Sequence, residues 1–461
     1  MAIRLTFHGG AESVTGSNFL IESEEGGKLL VDCGLEQGAD FCESCMYEPF
    51  PYDASTIHAL VITHAHLDHV GRVPKLFKEG FTGKVYMTEA TRDLAELIMR
   101  DSVGILGQEA ASRGVAPLYE ESHVDMALEH YEALPYHSEK EVAPGLSVYL
   151  RNTGHILGSA SVRIKATDGT ALAITSDLGN SPSPLLPDAE PVTDADVVVL
   201  ESVYGDRAHD PQDRVKQLKE SLTRAIERGG AILIPAFSIE RTQLMLYEIS
   251  NMMESCELPK IPVFLDSPLA IKVTDVYEAR DTEYFKKDVQ EELRREGSLF
   301  SFQMLTKTES REDSENIDNV PNPKIIIAGA GMSHGGRIGK HEMKYLPDPT
   351  TTLFIVGYQA PGSPGRMLQD GAPKVKINKQ DVKVRAKVET FGGWSAHADR
   401  DGLVEFAQES AKRAHTFLIA LGEPSSARFL AQRIHDFVGK KAVVPTKGEV
   451  WEITKTGVKK S

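Results

Sequence analysis

Three imidazoles and a carboxylate fall within six residues in the stretch Thr63-His64-Ala65-His66-Leu67-Asp68-His69. Imidazole nitrogens and carboxylate oxygens are the ligands that borderline divalent ions such as Zn²⁺ favour. A single surface histidine is usually a solvated side chain, but three of them around an aspartate point to a shared metal. The run before them, residues 57–62, is short, apolar and β-branched, and predicts a buried strand. After them Val70-Gly71-Arg72-Val73-Pro74 breaks the pattern and leads into an amphipathic segment. The cluster therefore belongs on a loop at a strand end, where side chains converge from a rigid scaffold.

Other chemistry-bearing residues repeat that placement. Asp32 directly follows the apolar run 28–31, and Asp177 ends the run 171–176. His155 sits between glycines in Thr153-Gly154-His155-Ile156-Leu157-Gly158-Ser159, flanked by runs at 146–150 and 160–164 that predict strands. Glu201 follows the buried run 194–200, and His397 lies in Ser395-Ala396-His397-Ala398-Asp399. Taken singly, each of these is an ordinary cap or turn residue.

Taken together they carry a resemblance. His-x-His-x-Asp-His resembles the signature of the metallo-β-lactamase fold, and His155 and Asp177 follow in the order of that fold's next ligand motifs. Glu201-Ser202-Val203-Tyr204-Gly205 and the Ser-Ala-His-Ala-Asp segment resemble motifs of its β-CASP branch, the nucleic-acid-processing nucleases. The resemblance implies an α/β protein: an αββα metallo-β-lactamase sandwich from residues 1–205 and 368–461, with an α/β β-CASP domain inserted at 206–367. It implies metal ligands His64, His66, Asp68, His69, His155 and Asp177, with Asp32 supporting the site from behind. Asp68, His397 and Glu201 are the implied catalytic residues, His397 protonating the leaving oxygen and Glu201 holding His397. The implied reaction is hydrolysis of phosphodiester bonds in single-stranded RNA, with two zinc ions.

One position departs from the family. The strand 416–420 should end in His-Gly-Glu, and here reads Leu421-Gly422-Glu423. Leucine cannot coordinate, so the second metal keeps Asp68, His69 and Asp177 alone, a set that suits a more exchangeable ion such as Mn²⁺. His415 is six residues earlier, roughly 20 Å away at ~3.3 Å per residue, and is no substitute. This departure motivates a second reading, a catalytically weakened RNA-binding or complex-forming protein. A small-molecule metallo-hydrolase of the same fold is a third.

The insert must supply its own scaffold. Asp210-Pro211 predicts a helix start with Gly229-Gly230 at its end, followed by strand 231–237, helix 239–255 and strand 263–266. Strands at 324–328 and 353–357 continue the alternation, which implies a parallel sheet. The acidic stretch 306–322 reads as an exposed loop. Glycine-rich turns after such strands suit phosphate, which makes Arg241, Ser333, His334 and Arg337 candidates to touch it, with a structural ion pair as the alternative for each arginine. Residues 382–388 alternate basic with apolar side chains, read as one strand whose edge is protected by charge.

Bulk properties bound the rest. A chain of 461 residues, 41% hydrophobic and 26% charged, can bury two or three cores. Its formal net charge of −16 argues against coating nucleic acid by bulk electrostatics, though not against a local cleft. Four cysteines make no disulfide framework; Cys42 and Cys45 form one isolated Cys-x-x-Cys, and Cys33 reads as packing. Neither a membrane-length apolar run nor a signal-peptide pattern is present, so no membrane partner and a cytoplasmic location are expected. His123, His130 and His137 read as surface histidines, and a homodimer is compatible with the family.

Overall fold

The structure, a computed structural model, describes residues 3–37, 46–209, 213–279, 282–360 and 362–461. The chain divides into two compact units, Met1–Ala208 with His397–Ser461, and His209–Ala396. Lys387–Thr390 pairs in parallel with Thr352–Ile355 and so belongs to the sheet of the second unit. Val375, Ile377 and Val382 also join that unit's core, beside Leu233 and Ile326.

In the first unit, an eight-stranded sheet runs in the order Gly457–Lys460, Val450–Thr454, Ile3–Gly9, Asn18–Ser23, Lys28–Val31, Ala59–Val61, Lys84–Met87, Tyr131–Ala133. A seven-stranded sheet runs Lys441–Val443, Thr416–Ile419, Val197–Leu200, Ala171–Ile174, Ala160–Ala166, Leu146–Asn152, Glu139–Ala143. Leu5, Phe7, Phe19 and Val61 of one meet Val148, Leu150, Leu172 and Val199 of the other in the inter-sheet core. The strand Val197–Leu200 shows why both faces had to be apolar. Val197 and Val199 point into that core, while Val198 and Leu200 join Phe417, Leu403, Phe406 and Leu430 on the helix-covered outer face. Helices Glu89–Arg113 and Glu121–Glu129 place Ala95, Met99 and Ala127 near Val85 and Met87 of the other sheet. The layering is αββα.

The second unit carries a six-stranded sheet in the order Leu305–Lys307, Val263–Asp266, Lys324–Ala328, Ala231–Pro235, Thr352–Ile355, Lys387–Thr390, parallel throughout. A separate hairpin pairs Lys374–Ile377 with Gln380–Lys383.

Three local expectations change. Residues 306–322 hold the end of a strand, helix Arg311–Asn316 and the turn Ile317–Asn319. Ser310 and Asp313 form a reciprocal capping box, Ser314 donates to buried Asp266, and Ile317 is buried, so local capping and one anchor replace the apolar periodicity that was missing. The single strand expected over 382–388 is two strands in different sheets, broken where Arg385 and Ala386 both donate backbone N–H to Leu346 O. Apolar residues at helical spacing over 91–102 predict a helix there, and it runs from Glu89 to Arg113, capped by Thr88 and closed by left-handed Gly114. Asp210-Pro211 and the Cys42/Cys45 pair lie outside the described residues; the helix Arg214–Arg228 starts on Asp213, whose side chain accepts from Val215 and Lys216 N–H. Cys33 is fully buried, and burial pushes its thiol up to about 12. Among the described residues no helix is long and apolar enough to cross a membrane.

Candidate metal centre

The parallel strands Lys28–Val31, Ala59–Val61, Ala171–Ile174, Val197–Leu200 and Thr416–Ile419 all stop just before a site residue. Backbone in the sparsely used left-handed region marks three of these exits: Asp32 (φ 61°), Ser176 (φ 54°) and Leu421 (φ 48°). Strain of that kind persists where the surroundings over-determine a conformation, and it clusters at functional sites.

The donors converge. His64, His66, His155 and Asp177 each place a ligand atom within 4.8 Å of the others. His66 Nδ1 lies 3.1 Å from His64 Nε2 and 3.1 Å from His155 Nε2. Asp177 Oδ2 lies 3.4 Å from each of those two Nε2 atoms. A tetrahedral ion with bonds of ~2.0–2.1 Å sets its ligands ~3.3 Å apart, so these four atoms have the spacing of a zinc site. Burial and the neighbouring imidazoles hold His64 well below its ordinary pKa, which keeps it neutral and able to coordinate.

The same Asp177 oxygen is 3.6 Å from His69 Nε2, which is 3.9 Å from Asp68 Oδ2. His69 Nε2 is buried without a hydrogen-bond partner, an atom whose lone pair fits a second ion held with Asp68 and Asp177. Leu421 adds no donor there. It is 1% exposed and belongs to the inter-sheet core, with Cδ2 2.8 Å from where a Cβ on Gly10 would lie. His415 stands at the far end of its strand, beside Thr416 Oγ1 and Thr454 O.

Asp32 sits behind His69 and Thr63. Its carboxylate accepts from His69 Nδ1 at 2.7 Å, Ser17 Oγ at 2.9 Å and Thr63 N at 2.9 Å. Accepting the Nδ1 proton fixes the tautomer that aims Nε2 at Asp177. Burial opposes charge on His69, yet Asp177, Asp32 and Asp68 outweigh it and lift its pKa to about 10, so Nε2 carries a proton in the absence of an ion and would release it on binding one. Two hydroxyls that sequence reasoning missed complete the frame. Thr63 Oγ1 lies 2.9 Å from Asp32 Oδ2, 2.7 Å from Ser176 Oγ and 3.2 Å from His64 Nδ1.

His155 is set by its glycine-bracketed loop, where Ser159 Oγ accepts from His155 N and Ile156 N. Gly158 has φ +80°, and a Cβ there would meet Thr88 Oγ1 at 2.7 Å, so only glycine fits. His397 is fixed by backbone pairing of its loop with Leu178-Gly179, next to Asp177. Its Nδ1 lies 3.4 Å from Glu201 Oε1 and 3.9 Å from Asp177 Oδ2. Glu201 is fully buried and is aimed by Leu178 N and Val203 N. Burial opposes protonation of His397, but Glu201 and Asp177 prevail and raise its pKa.

The four phosphate candidates lie in the second unit. Arg337 donates to Asp266 Oδ1 at 2.7 Å and to Thr308 O at 2.7 Å, which is the structural ion pair. Ser333 is buried and donates to Glu342 Oε1. Arg241 is buried against Gly357, with its guanidinium 5.3 Å from the Phe237 ring. His334 is exposed.

A two-sheet αββα unit with a histidine–aspartate cluster at its strand ends, in one chain with a parallel α/β unit, defines a metallo-β-lactamase-type protein with a β-CASP insert. The chain belongs to the β-CASP family of the metallo-β-lactamase superfamily. Residues 14–147 match the metallo-β-lactamase superfamily, 242–368 the β-CASP domain, and 381–445 the Zn-dependent metallo-hydrolase RNA specificity domain. The chain is 37% identical to Ribonuclease TTHA0252 of Thermus thermophilus, over 88% of this chain and 91% of that one. It is 30% identical to an RNase J-like protein of Methanocaldococcus jannaschii, over 98% and 100% of the two chains. It is 31% identical to transcription termination factor FttA of Methanosarcina mazei, over 94% and 69%. A crystal structure of a protein of unknown function from Enterococcus faecalis shares the fold at TM-score 0.58 and 11% identity, covering 98% of this chain and 100% of that one.

Proposed function

We propose that this chain is a metal-dependent ribonuclease that hydrolyses phosphodiester bonds of single-stranded RNA. The observation that carries the reading is the adjacency of a zinc-spaced donor set, His64, His66, His155 and Asp177, to a carboxylate-backed histidine, His397. A divalent ion held there supplies positive charge to a developing oxyanion and acidifies water. The second position, Asp68, His69 and Asp177, suits a more loosely held zinc or manganese ion.

The chain's own groups do the rest. Glu201 accepts from His397 Nδ1 and keeps the ring charged, so that Nε2 delivers a proton to the leaving oxygen. Asp68, less buried than Asp177, is placed to take a proton from the attacking water. Asp32, Thr63 and Ser176 hold the imidazoles in register. His334 is the phosphate candidate most open to solvent.

End-labelled and internally labelled single-stranded RNA, incubated with metal-reconstituted protein, tests the reading. Cleavage that stops with chelator and fails in His64→Ala and Asp177→Ala supports it. Hydrolysis of thioester or lactam substrates with none of RNA overturns it.

A further inference from the structure

The hairpin Lys374–Ile377/Gln380–Lys383 turns one face inward through Val375, Ile377 and Val382. The other face is a concentration of positive charge. Lys374, Lys376 and Lys383 lie on it, with Lys379 in the turn and Arg385 and Lys387 just beyond the hairpin, against Asp381 alone, in a chain whose formal net charge is −16. The first five of these cations are exposed. Lys374 and Lys383 face each other directly across the ladder, a like-charge pair that Asp381, 2.8 Å from Lys374, offsets on one side only. Among the described residues, Lys374 has Asp381 at 2.8 Å and Lys387 has Glu389 at 2.6 Å, while the other four cations have no carboxylate within ion-pair distance. Protecting a strand edge takes one or two lysines among mixed charges. A single-sign strip of this density exceeds that need and fits a polyanion. It presents no aromatic ring between 374 and 385, so it is built for phosphates and not for bases.

We propose that this hairpin face binds the phosphodiester backbone of single-stranded RNA, independently of sequence, as a contact separate from the metal centre. The proposal rests on the ribonuclease reading. It is tested with full-length protein in chelator, where no cleavage occurs, by fluorescence anisotropy of an end-labelled oligouridine across a potassium chloride series. For single strands, each neutralised phosphate contributes about 0.7 to the slope of log affinity against log salt. The triple variant Lys376→Gln/Lys379→Gln/Lys383→Gln should therefore lower the slope by about 2 and weaken binding on the order of 100-fold near 0.1 M salt. The corresponding triple arginine variant should bind as the parent does. Equal slopes and affinities for parent and glutamine variant overturn the proposal while leaving the ribonuclease reading standing. A parent protein that binds no RNA at any salt overturns both. Loss of self-association in the glutamine variant, with RNA binding unchanged, assigns the face to a second copy of the chain and also overturns it.

Discussion

At Asp177 a single carboxylate oxygen lies 3.4 to 3.9 Å from nitrogens of His64, His69, His155 and His397. That arrangement separates the roles of the histidines, and mutation can read the separation. His397 touches Asp177 only at 3.9 Å and leans on Glu201, so His397→Ala should lower RNA cleavage by ~10²–10⁴-fold and leave metal content near the parent's. Metal analysis by mass spectrometry beside the rate decides this; metal lost together with activity would make His397 a ligand. Leu421 is the opposite case. Its φ of 48° is a conformation in which histidine is far more common than leucine, so the backbone already has the form a ligand histidine would use. Leu421→His should therefore retain more metal after dialysis than the parent does. Equal content in both would show that the leucine is a core residue with no bearing on the second ion. The candidate ligands were legible because four of them fall within six residues, His155 is bracketed by glycines and Asp177 ends an apolar run. Thr63 and Ser176 were not: they lie 113 residues apart, and hydroxyl residues at strand ends are too common to signal a network.

The elements of the second unit carry buried acids that the site does not use. Glu342, on helix Gly336–Tyr345, is fully buried, and its Oε2 has no hydrogen-bond partner. Burial lifts its pKa from 4.5 to about 7, and that of Glu240 to about 8. A raised native pKa means that the folded state keeps a proton that the unfolded state has released. Stability is therefore lost as pH rises from about 4.5 through about 7, and is unaffected below that window, where both states are protonated. For Glu342 the loss is on the order of 3 kcal/mol. Glu342→Gln retains an acceptor for Ser333 but cannot ionise, so it should gain stability relative to the parent across that window. Chemical denaturation of both forms at pH 5, 6, 7 and 8 checks it, and parallel curves would refute the assignment. Sequence alternation located these strands and helices well. It failed at 306–322, where a capping box and the Ser314–Asp266 bond order a polar segment without apolar periodicity.

On the scale of the whole molecule, every donor of the metal cluster, and His397 with Glu201, belongs to one compact unit. That unit is built from two distant stretches of chain, and basic-apolar alternation such as that at 382–388 looks the same whichever sheet receives it.

Metal binding should then act on the stability of the unit that holds the donors. An ion that binds the folded state alone stabilises it by mass action, ~4 kcal/mol when present at a thousandfold excess over its dissociation constant. The loops at 63–69, 153–159 and 175–178 are where this energy enters, since they carry the histidines, Asp177 and the Thr63–Ser176 link. Removing metal also leaves His64, His69 and Asp177 as buried polar groups without their ion, which disfavours the closed loops further. Hydrogen exchange should therefore accelerate in peptides from those three loops and in the strands that end in them when the protein is treated with chelator. Peptides from Ala231–Pro235 and Lys324–Ala328, in the parallel sheet of the second unit, contain no donor of the cluster and should exchange at the same rate with and without metal. Restoring zinc should reverse the change in the loops. Protection that is unchanged by chelator at 63–69 and 153–159 would mean that the histidines are held by packing and hydrogen bonds alone, and that their zinc-like spacing is not maintained by an ion.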